Sequence, residues 1–335
     1  MQTQAEWIAD RVVTRDGRVV PVRTTARRPH WADLPESARE TIALRLGSEV
    51  LSTSSTGIGF TPGFASRLDL ADGRRVFVKA ASAADDARYG WELSEAYREE
   101  SRKLRALPSD LPAPALLWTV DDDIAGVRWV ILCFEYVDGS PPRRPWRPDE
   151  LRLVTDALAQ LAPLVAEAPD WLELPHFAEE FTEVEAWVAR VIERQGSSRW
   201  LDEIAALACE SLTCCAGTAV AHLDLRDDNI LIGRGGRVWI CDWNWPLLGA
   251  PWLDLVTLLL AVAGDGLDAD AVLATHPLTR DVEPRSIDAW LATLWLYFTT
   301  SMERPVPAHS PHLRDHQLWY ADATGDWLRH RLSRR

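Results

Sequence analysis

Four polar residues in the second half of the chain have the types and spacing that phosphoryl transfer requires. His222, Asp224 and Asn229 fall within a stretch of eight residues, and Asp242 follows thirteen residues after Asn229. The reaction needs a carboxylate that orients the acceptor hydroxyl group and takes its proton, and hard oxygen ligands that hold Mg²⁺ against the nucleotide phosphates. The pattern predicts that Asp224 is the catalytic carboxylate and that Asn229 and Asp242 bind Mg²⁺. For His222 we expect a structural role in holding the loop.

The residues around these positions resemble a known family. Residues 221–232 read Ala-His-Leu-Asp-Leu-Arg-Asp-Asp-Asn-Ile-Leu-Ile, which resembles the catalytic loop of the aminoglycoside phosphotransferases and choline-kinase-like enzymes. Residues 251–255, Pro-Trp-Leu-Asp-Leu, resemble the short motif that follows the metal-binding aspartate in this family. Leu223 stands where the family often has Gly. Trp243 and Asn244 stand where protein kinases have Phe-Gly, which favours the small-molecule branch over a protein-serine kinase.

A lysine in the first part of the chain fits the nucleotide side of this resemblance. Residues 75–79, Arg-Val-Phe-Val-Lys, have the composition of a strand. The resemblance implies that Lys79 contacts the α- and β-phosphates of ATP and that a carboxylate on the following helix pairs with it. Glu100 is the preferred partner, because leucines follow it at helical spacing. Glu95 and Glu99 remain alternatives.

Two further segments are expected at the nucleotide. Residues 55–63 contain three glycines, among them Gly57 and Gly59, and precede the lysine strand, so their backbone amides are expected to cover the phosphates. Taken alone, this loop lacks the spacing of the common nucleotide-binding loops. Glu135 and Val137 lie at the end of an apolar strand that resembles the family's hinge, where backbone groups would bind adenine.

The elements around these residues predict an α+β chain of two lobes, and the family resemblance implies that this bilobal chain has the protein-kinase-like fold. A small, β-rich lobe over residues 1–139 contains one major helix at 91–107. A larger, mostly helical lobe over residues 140–335 contains two short strands between 220 and 242 that carry the catalytic and metal-binding loops. Four prolines and three arginines in residues 140–148 indicate a linker between the lobes.

Charge and composition limit the partners. The chain has a formal net charge of −14 and about half its residues are apolar. Residues 1–145 contain 20 Lys and Arg against 21 Asp and Glu, whereas residues 146–335 contain 16 against 29. Such an acidic surface disfavours nucleic acid and anionic membranes. The sequence shows no membrane span, no apolar run at its start that would indicate a secretory signal, and no disulfide or zinc spacing among its five cysteines, so we expect a cytoplasmic protein.

The expected cofactors are ATP and Mg²⁺, and the expected acceptor is a hydroxyl group of a small molecule. In the family the acceptor binds to the helical lobe, whose excess of acidic residues favours a cationic molecule such as an aminoglycoside or a related antibiotic. A choline- or amino-sugar-type metabolic kinase and a nucleotide-binding pseudokinase remain alternatives. The acidic residues on which this expectation depends are Glu179, Glu180, Glu183, Glu185, Asp265, Asp268 and Asp270.

Overall fold

The computed structural model describes residues 10–334, so the first nine residues of the predicted first lobe and Arg335 lie outside it. The prediction that the chain has no secretory signal concerns those first residues and lies outside the described part of the chain. In the described part the strands are β1 (Arg11–Val13), β2 (Val19–Pro21), β3 (Val50–Ser55), β4 (Phe64–Leu70), β5 (Arg75–Ser82), β6 (Leu116–Ile124), β7 (Val127–Glu135), β8 (Gly139–Ser140), β9 (Ala219–Ala221), β10 (Ile230–Gly233), β11 (Val238–Ile240) and β12 (Leu247–Gly249). The α-helices are α1 (Glu36–Leu46), α2 (Ala83–Tyr89), α3 (Leu93–Ala106), α4 (Pro148–Leu161), α5 (Phe177–Glu180), α6 (Val184–Gln195), α7 (Arg199–Cys214), α8 (Leu253–Gly264), α9 (Ala269–Thr275), α10 (Pro284–Ser301) and α11 (Leu313–Ser333).

The small lobe is built on a five-stranded antiparallel sheet with the strand order β3-β4-β5-β7-β6. The Asp72-Gly73 dipeptide turns the chain between β4 and β5, and Gly73 adopts a φ of 85°, which favours glycine. Helix α1 covers one face of the sheet with Ala38, Ile42 and Leu46, which recur at the helical spacing and are buried. The sequence predicts α1 and the turn between β4 and β5. It does not predict β6, which forms one edge of the sheet.

Helix α3 packs on the other side of the sheet and carries the residue expected to pair with the lysine. Leu93, Tyr97 and Glu100 are buried along one face, because residues separated by three and four positions lie on the same side of a helix. The helix ends one residue before Leu107, and Pro108 follows. A carboxylate on the buried face of α3 is therefore directed at the sheet.

The large lobe is mostly helical, as the sequence predicts. Helix α8 is apolar on nearly all sides and packs against α11, while α10 packs against both α7 and α11. Two small sheets complete the lobe. One has the strand order β11-β10-β8 and the other pairs β12 with β9. The sequence predicts β10 and β11 but not β8, β9, β12 or α9.

The segment before α1 crosses between the lobes, and we call residues 10–30 the amino-terminal strap. Its β1–β2 hairpin turns at Asp16-Gly17 as predicted, yet Val12, Val20 and Val22 join the core of the large lobe. Arg15 and Arg18 form ion pairs with carboxylates of α11. The hairpin of the strap therefore belongs to the large lobe by its packing, although the sequence-based boundaries assign it to the first lobe.

Residues 140–148 join the two lobes but do not form a loose spacer. The side chain of Arg144 is 2% exposed and donates hydrogen bonds to Asp227 at 2.8 Å and to Asp265 at 2.6 Å. Its guanidinium group also lies 4.8 Å from the ring centre of Trp319 in α11. The predicted linker is therefore a packed connection, a property that its composition does not indicate.

Two expectations from composition can be compared with the structure. No helix within residues 10–334 is both long enough and apolar enough to cross a membrane. Cys133, Cys209, Cys214, Cys215 and Cys241 are all free thiols, which agrees with the predicted lack of a disulfide framework.

Candidate active site

A cavity of about 490 Å³ lies between the two lobes and takes its walls from both. Asp224 lies outside the lining of this cavity and is joined to it through a hydrogen bond from Asn229. The residues expected to bind the nucleotide or the metal line it: Gly57, Gly59, Lys79, Glu100, Glu135, Val137, Asn229 and Asp242.

Lys79 occupies the centre of a charged cluster at the inner end of the cavity. Its Nζ donates hydrogen bonds to both carboxylate oxygens of Glu100, at 2.7 and 2.9 Å, and to Oδ1 of Asp242 at 2.8 Å. Burial lowers the pKa of Lys79, but Asp242 and Glu100 raise it more, so the pKa lies above its ordinary value. A protonated ammonium group is therefore held between β5, α3 and the loop after β11.

The structure distinguishes among the three glutamates of α3. Glu100 is buried and pairs with Lys79, and burial raises its pKa against the opposing effect of Lys79. Glu95 pairs with Arg98, and Glu99 pairs with Arg102 at 2.9 Å. Of these three glutamates, Glu100 alone lies on the face of α3 that meets the sheet.

The loop after β9 holds Asp224 and Asn229 together. The side-chain amide of Asn229 donates to the backbone carbonyl of Asp224 at 2.7 Å and to its Oδ2 at 3.2 Å. This arrangement leaves the amide oxygen of Asn229 directed away from the carboxylate. Burial raises the pKa of Asp224, although Arg226 opposes the shift. A partly buried carboxylate with a raised pKa is suited to accept a proton.

Arg226 is a part of the site that the sequence argument does not single out. It forms ion pairs with Asp224 and with Asp228, the latter at 2.9 Å. Its guanidinium group lies 5.3 Å from the ring centre of Phe60, which belongs to the glycine-containing loop of the other lobe. One feature of the sequence could have identified Arg226. It lies two residues after Asp224, where an arginine side chain can turn back onto the carboxylate.

Asp242 reaches the cavity from the turn after β11. Its φ of 67° is unusual for a residue other than glycine, and its Oδ1 also accepts a hydrogen bond from Asn244 at 2.6 Å. Burial raises its pKa, but Lys79 lowers it more strongly, so Asp242 has a pKa below the ordinary value. The residue is therefore held as a carboxylate next to Lys79.

The donor set at this point fits Mg²⁺. Among residues 10–334, no three His, Cys, Asp or Glu side chains form a cluster of the kind that holds a metal without other ligands. Mg²⁺ usually needs only one or two protein oxygen ligands, because water and phosphate oxygens complete its octahedron. Asp242 and Asn229 supply one carboxylate and one amide oxygen to the same cavity.

His222 and Asp254 support these two loops from behind. Nε2 of His222 bonds to the backbone carbonyl of Cys241 at 2.8 Å and so connects the loop of Asp224 to that of Asp242. Asp254 accepts hydrogen bonds from the backbone N–H groups of His222 and Leu223, both at 2.8 Å. The sequence marked Asp254 as part of a family-like motif but assigned it no contact.

The acidic residues expected to attract a cation are mostly engaged elsewhere. Asp265 pairs with Arg144, and Asp270 pairs with Arg331. Glu183 accepts a hydrogen bond from Trp187 at 3.1 Å. Structural ion pairs therefore neutralise part of the excess negative charge of the helical lobe.

A sequence model of the phosphotransferase enzyme family matches residues 66–290 of this chain, which is more than half of it. No curated protein sequence matches it.

The fold is similar to that of several solved phosphotransferases. A thermostable mutant of aminoglycoside phosphotransferase APH(4)-Ia, in a ternary complex with ADP and hygromycin B, is 13% identical with a TM-score of 0.59. The match covers 88% of this chain and 98% of that one. Macrolide 2'-phosphotransferase type I is 17% identical with a TM-score of 0.52, over 90% of this chain and 98% of that one. MphH, a macrolide 2'-phosphotransferase from Brachybacterium faecium, is 17% identical with a TM-score of 0.53, over 87% and 98%. At these identities the similarity shows a shared fold.

Proposed function

The chain belongs to the phosphotransferase enzyme family, and we propose that it transfers the γ-phosphate of ATP to a hydroxyl group of a small molecule. The observation that carries the proposal is the contact of Lys79 with both Glu100 and Asp242 inside the cavity between the lobes. It joins three separate elements at the place where a nucleotide would bring its phosphates.

Each residue has a proposed role that its surroundings support. Lys79, oriented by Glu100, binds the α- and β-phosphates, and Asn229 and Asp242 are the Mg²⁺ ligands. When bound, Mg²⁺ neutralises charge on the transferred phosphate. Asp224 orients the acceptor hydroxyl group and accepts its proton, for which its raised pKa is suitable.

The outer part of the cavity is proposed to bind the adenine ring, and the glycine-containing loop is proposed to cover the phosphates. Gly57 and Gly59 lie in the loop over the phosphates, and Glu135 and Val137 lie where the chain leaves β7 for the large lobe. We also propose that residues 1–139 and 140–335 are the two functional units, with the hairpin of the strap packed onto the second.

The acceptor is proposed to be an antibiotic of the aminoglycoside or macrolide kind. Two observations support this class. Among the solved structures with a similar fold, one is a complex with ADP and hygromycin B, and another is named a macrolide phosphotransferase. The helical part of the chain also carries excess negative charge. An amino sugar or a choline-like alcohol contains the same combination of hydroxyl and amine groups and is the second candidate.

The test is ATP consumption by the purified protein with Mg²⁺ over a panel of aminoglycosides, macrolides, amino sugars and choline. We expect one class to give acceptor-dependent turnover. Asp224→Asn is expected to lower this turnover by roughly 10²- to 10⁴-fold while ATP affinity stays within about threefold. Asp281→Asn is the matched control, because Asp281 is an exposed carboxylate outside the cavity lining.

Two results would contradict the proposal. Turnover at the wild-type rate in Asp224→Asn would remove Asp224 from the chemistry. ATP binding without turnover on any acceptor in the panel would favour the pseudokinase alternative.

A further inference from the structure

The amino-terminal strap runs along the glycine-containing loop, residues 55–63, and bonds to it. The backbone N–H groups of Thr25 and Ala26 donate to the carbonyl of Gly57 at 2.8 and 2.9 Å. The hydroxyl group of Thr25 donates to the carbonyl of Gly59 at 2.5 Å. The strap therefore occupies one edge of the loop, and the residue that follows these contacts is placed at the cavity.

Arg28 extends from this edge into the cavity. Its Nη2 donates to the carbonyl of Ile58 at 3.0 Å, and its Nη1 lies 3.3 Å from the carbonyl of Gly63. It lines the same cavity as Lys79 and Asp242. The guanidinium group is thus held by the middle and by the last residue of the loop, in the cavity where phosphates are proposed to lie.

Arg28 forms no ion pair among residues 10–334, although it lies near enough to Asp242 to help lower the pKa of that carboxylate. No carboxylate in that range lies within 4.0 Å of its nitrogens, and its Nε is buried without a hydrogen-bond partner. Arg23, the other strap arginine at the cavity, differs because it contacts Asp10 and Asp227. Lys79 is likewise neutralised by two carboxylates. Arg28 is half-buried, and a guanidinium nitrogen that is removed from water without a partner is costly unless an anion or another acceptor joins it.

A second donor without a partner lies next to Arg28. The hydroxyl group of Tyr97 in α3 is buried and unpaired, and the residue is 1% exposed. A Cβ atom at Gly63 would lie 2.4 Å from this oxygen, so the loop can approach Tyr97 only with glycine there. Burial raises the pKa of Tyr97 to about 12, with Arg28 opposing the shift, which agrees with their proximity. The tyrosine therefore remains a neutral hydroxyl donor at neutral pH.

We propose that Arg28 is a ligand of the terminal phosphates of the nucleotide, so that the amino-terminal strap completes the nucleotide site. The inference rests on the proposed function, because it assigns a further residue to the same cavity. A guanidinium group presents several N–H donors in a plane that matches phosphate oxygens. Its position beside Asp242, the proposed Mg²⁺ ligand, directs it to the β- and γ-phosphates rather than to the α-phosphate or adenine.

The experiment measures dissociation constants of ATP, ADP and AMP, each with Mg²⁺, for the full chain and three variants. Arg28→Gln is expected to weaken ATP roughly tenfold or more and AMP by less than about twofold, since only the terminal phosphates lose a contact. Arg28→Lys, which keeps the charge but not the planar group, is expected to weaken ATP by a smaller factor. Arg27→Gln is the matched control: it removes the same charge from the neighbouring exposed residue and should leave all three constants within about twofold.

The outcomes separate this inference from the proposed function. ATP affinity unchanged in Arg28→Gln would overturn the inference. Equal weakening of ATP and AMP would also overturn it, because it would indicate that Arg28 only shapes the loop. If Arg28→Gln does not fold, the Arg28→Lys variant decides by the same comparison of ATP with AMP. A wild-type protein that binds ATP but phosphorylates no acceptor would contradict the proposed function while leaving the Arg28 result valid.

Discussion

At the scale of single residues, the candidate site depends on backbone conformations that need support from behind. Leu223 adopts a φ of 68° and Asp242 a φ of 67°, both in a region that side chains with a Cβ rarely occupy. Asp254 accepts hydrogen bonds from the backbone of His222 and Leu223, and His222 bonds to the carbonyl that precedes Asp242. One half-buried carboxylate thus maintains the geometry of two loops.

Replacement of Asp254 is expected to affect both stability and catalysis. Asp254→Asn leaves one oxygen acceptor for two N–H donors and directs an amide N–H₂ group at the other, so the free energy of unfolding should fall by about 1–3 kcal/mol. The rate of phosphoryl transfer should fall more than ATP affinity, because Lys79 is not among its contacts. Urea unfolding and steady-state kinetics check this.

Asp156→Asn is the control for the Asp254 variant, because Asp156 is an exposed carboxylate on α4. We expect it to change the free energy of unfolding by less than about 0.5 kcal/mol. An Asp254→Asn variant with wild-type stability and rate would contradict the supporting role.

At the scale of elements, the connection between the lobes is a packed structural unit. Arg144 lies between Asp227, in the loop that carries Asp224, and Asp265, at the end of α8. All three side chains are almost completely buried. The connection therefore fixes where the small lobe begins relative to the loop that carries Asp224.

Removal of Arg144 should be strongly destabilising. Arg144→Met leaves the buried Asp265 without its cation and leaves Asp227 only the contact with Arg23 at 3.7 Å, which is expected to cost about 3–5 kcal/mol in the free energy of unfolding. Arg143→Met is the matched control, because its side chain is 59% exposed and pairs with Glu150 at the surface, where such a pair contributes less than about 1 kcal/mol. Chemical unfolding of both variants tests this, and equal effects would contradict the role of Arg144.

At the scale of the whole molecule, the strap joins the first part of the chain to the last helix. His316 in α11 bonds through Nε2 to the carbonyl of Pro21 at 2.7 Å and packs edge-on against Phe60 of the glycine-containing loop. The backbone N–H of Arg27 and the carbonyl of Phe60 bond to His309 and Ser310, which precede α11. The carboxyl-terminal helix is therefore coupled to the proposed phosphate cover.

This junction should make the protein sensitive to acid. Burial lowers the pKa of His316 to about 4 from an ordinary value of 6.5. The folded state thus prefers the neutral imidazole, so its stabilising contribution is present above pH 6.5 and is lost as the pH falls toward 4. The difference corresponds to about 3 kcal/mol as an order of magnitude.

The measurement is the free energy of unfolding at about pH 7.5 and about pH 5.0 for the wild type and for His316→Gln. The variant cannot titrate at this position, so its loss of stability between the two pH values should be smaller than that of the wild type. Equal losses in the two proteins would show that His316 is not responsible. Other acidic groups affect both proteins alike and cancel in this comparison.

The sequence by itself indicated the chemistry and the fold because those depend on local patterns. The spacing from His222 to Asp242 and the strand ending in Lys79 are short-range features, and hydrophobic periodicity predicted most of the helices. The bilobal fold with a β-rich small lobe and a helical large lobe was predicted and is confirmed.

Only the tertiary structure decided which side chains meet across long sequence separations. Glu95, Glu99 and Glu100 are neighbours in sequence, and the packing of α3 on the sheet selects Glu100 for contact with Lys79. The packing of the strap on the large lobe, the burial of Arg144 and the position of Arg28 at the cavity also depend on contacts between distant segments. Local patterns cannot specify such contacts, because they arise when separate elements bury their apolar faces together and bring their polar residues to a common edge.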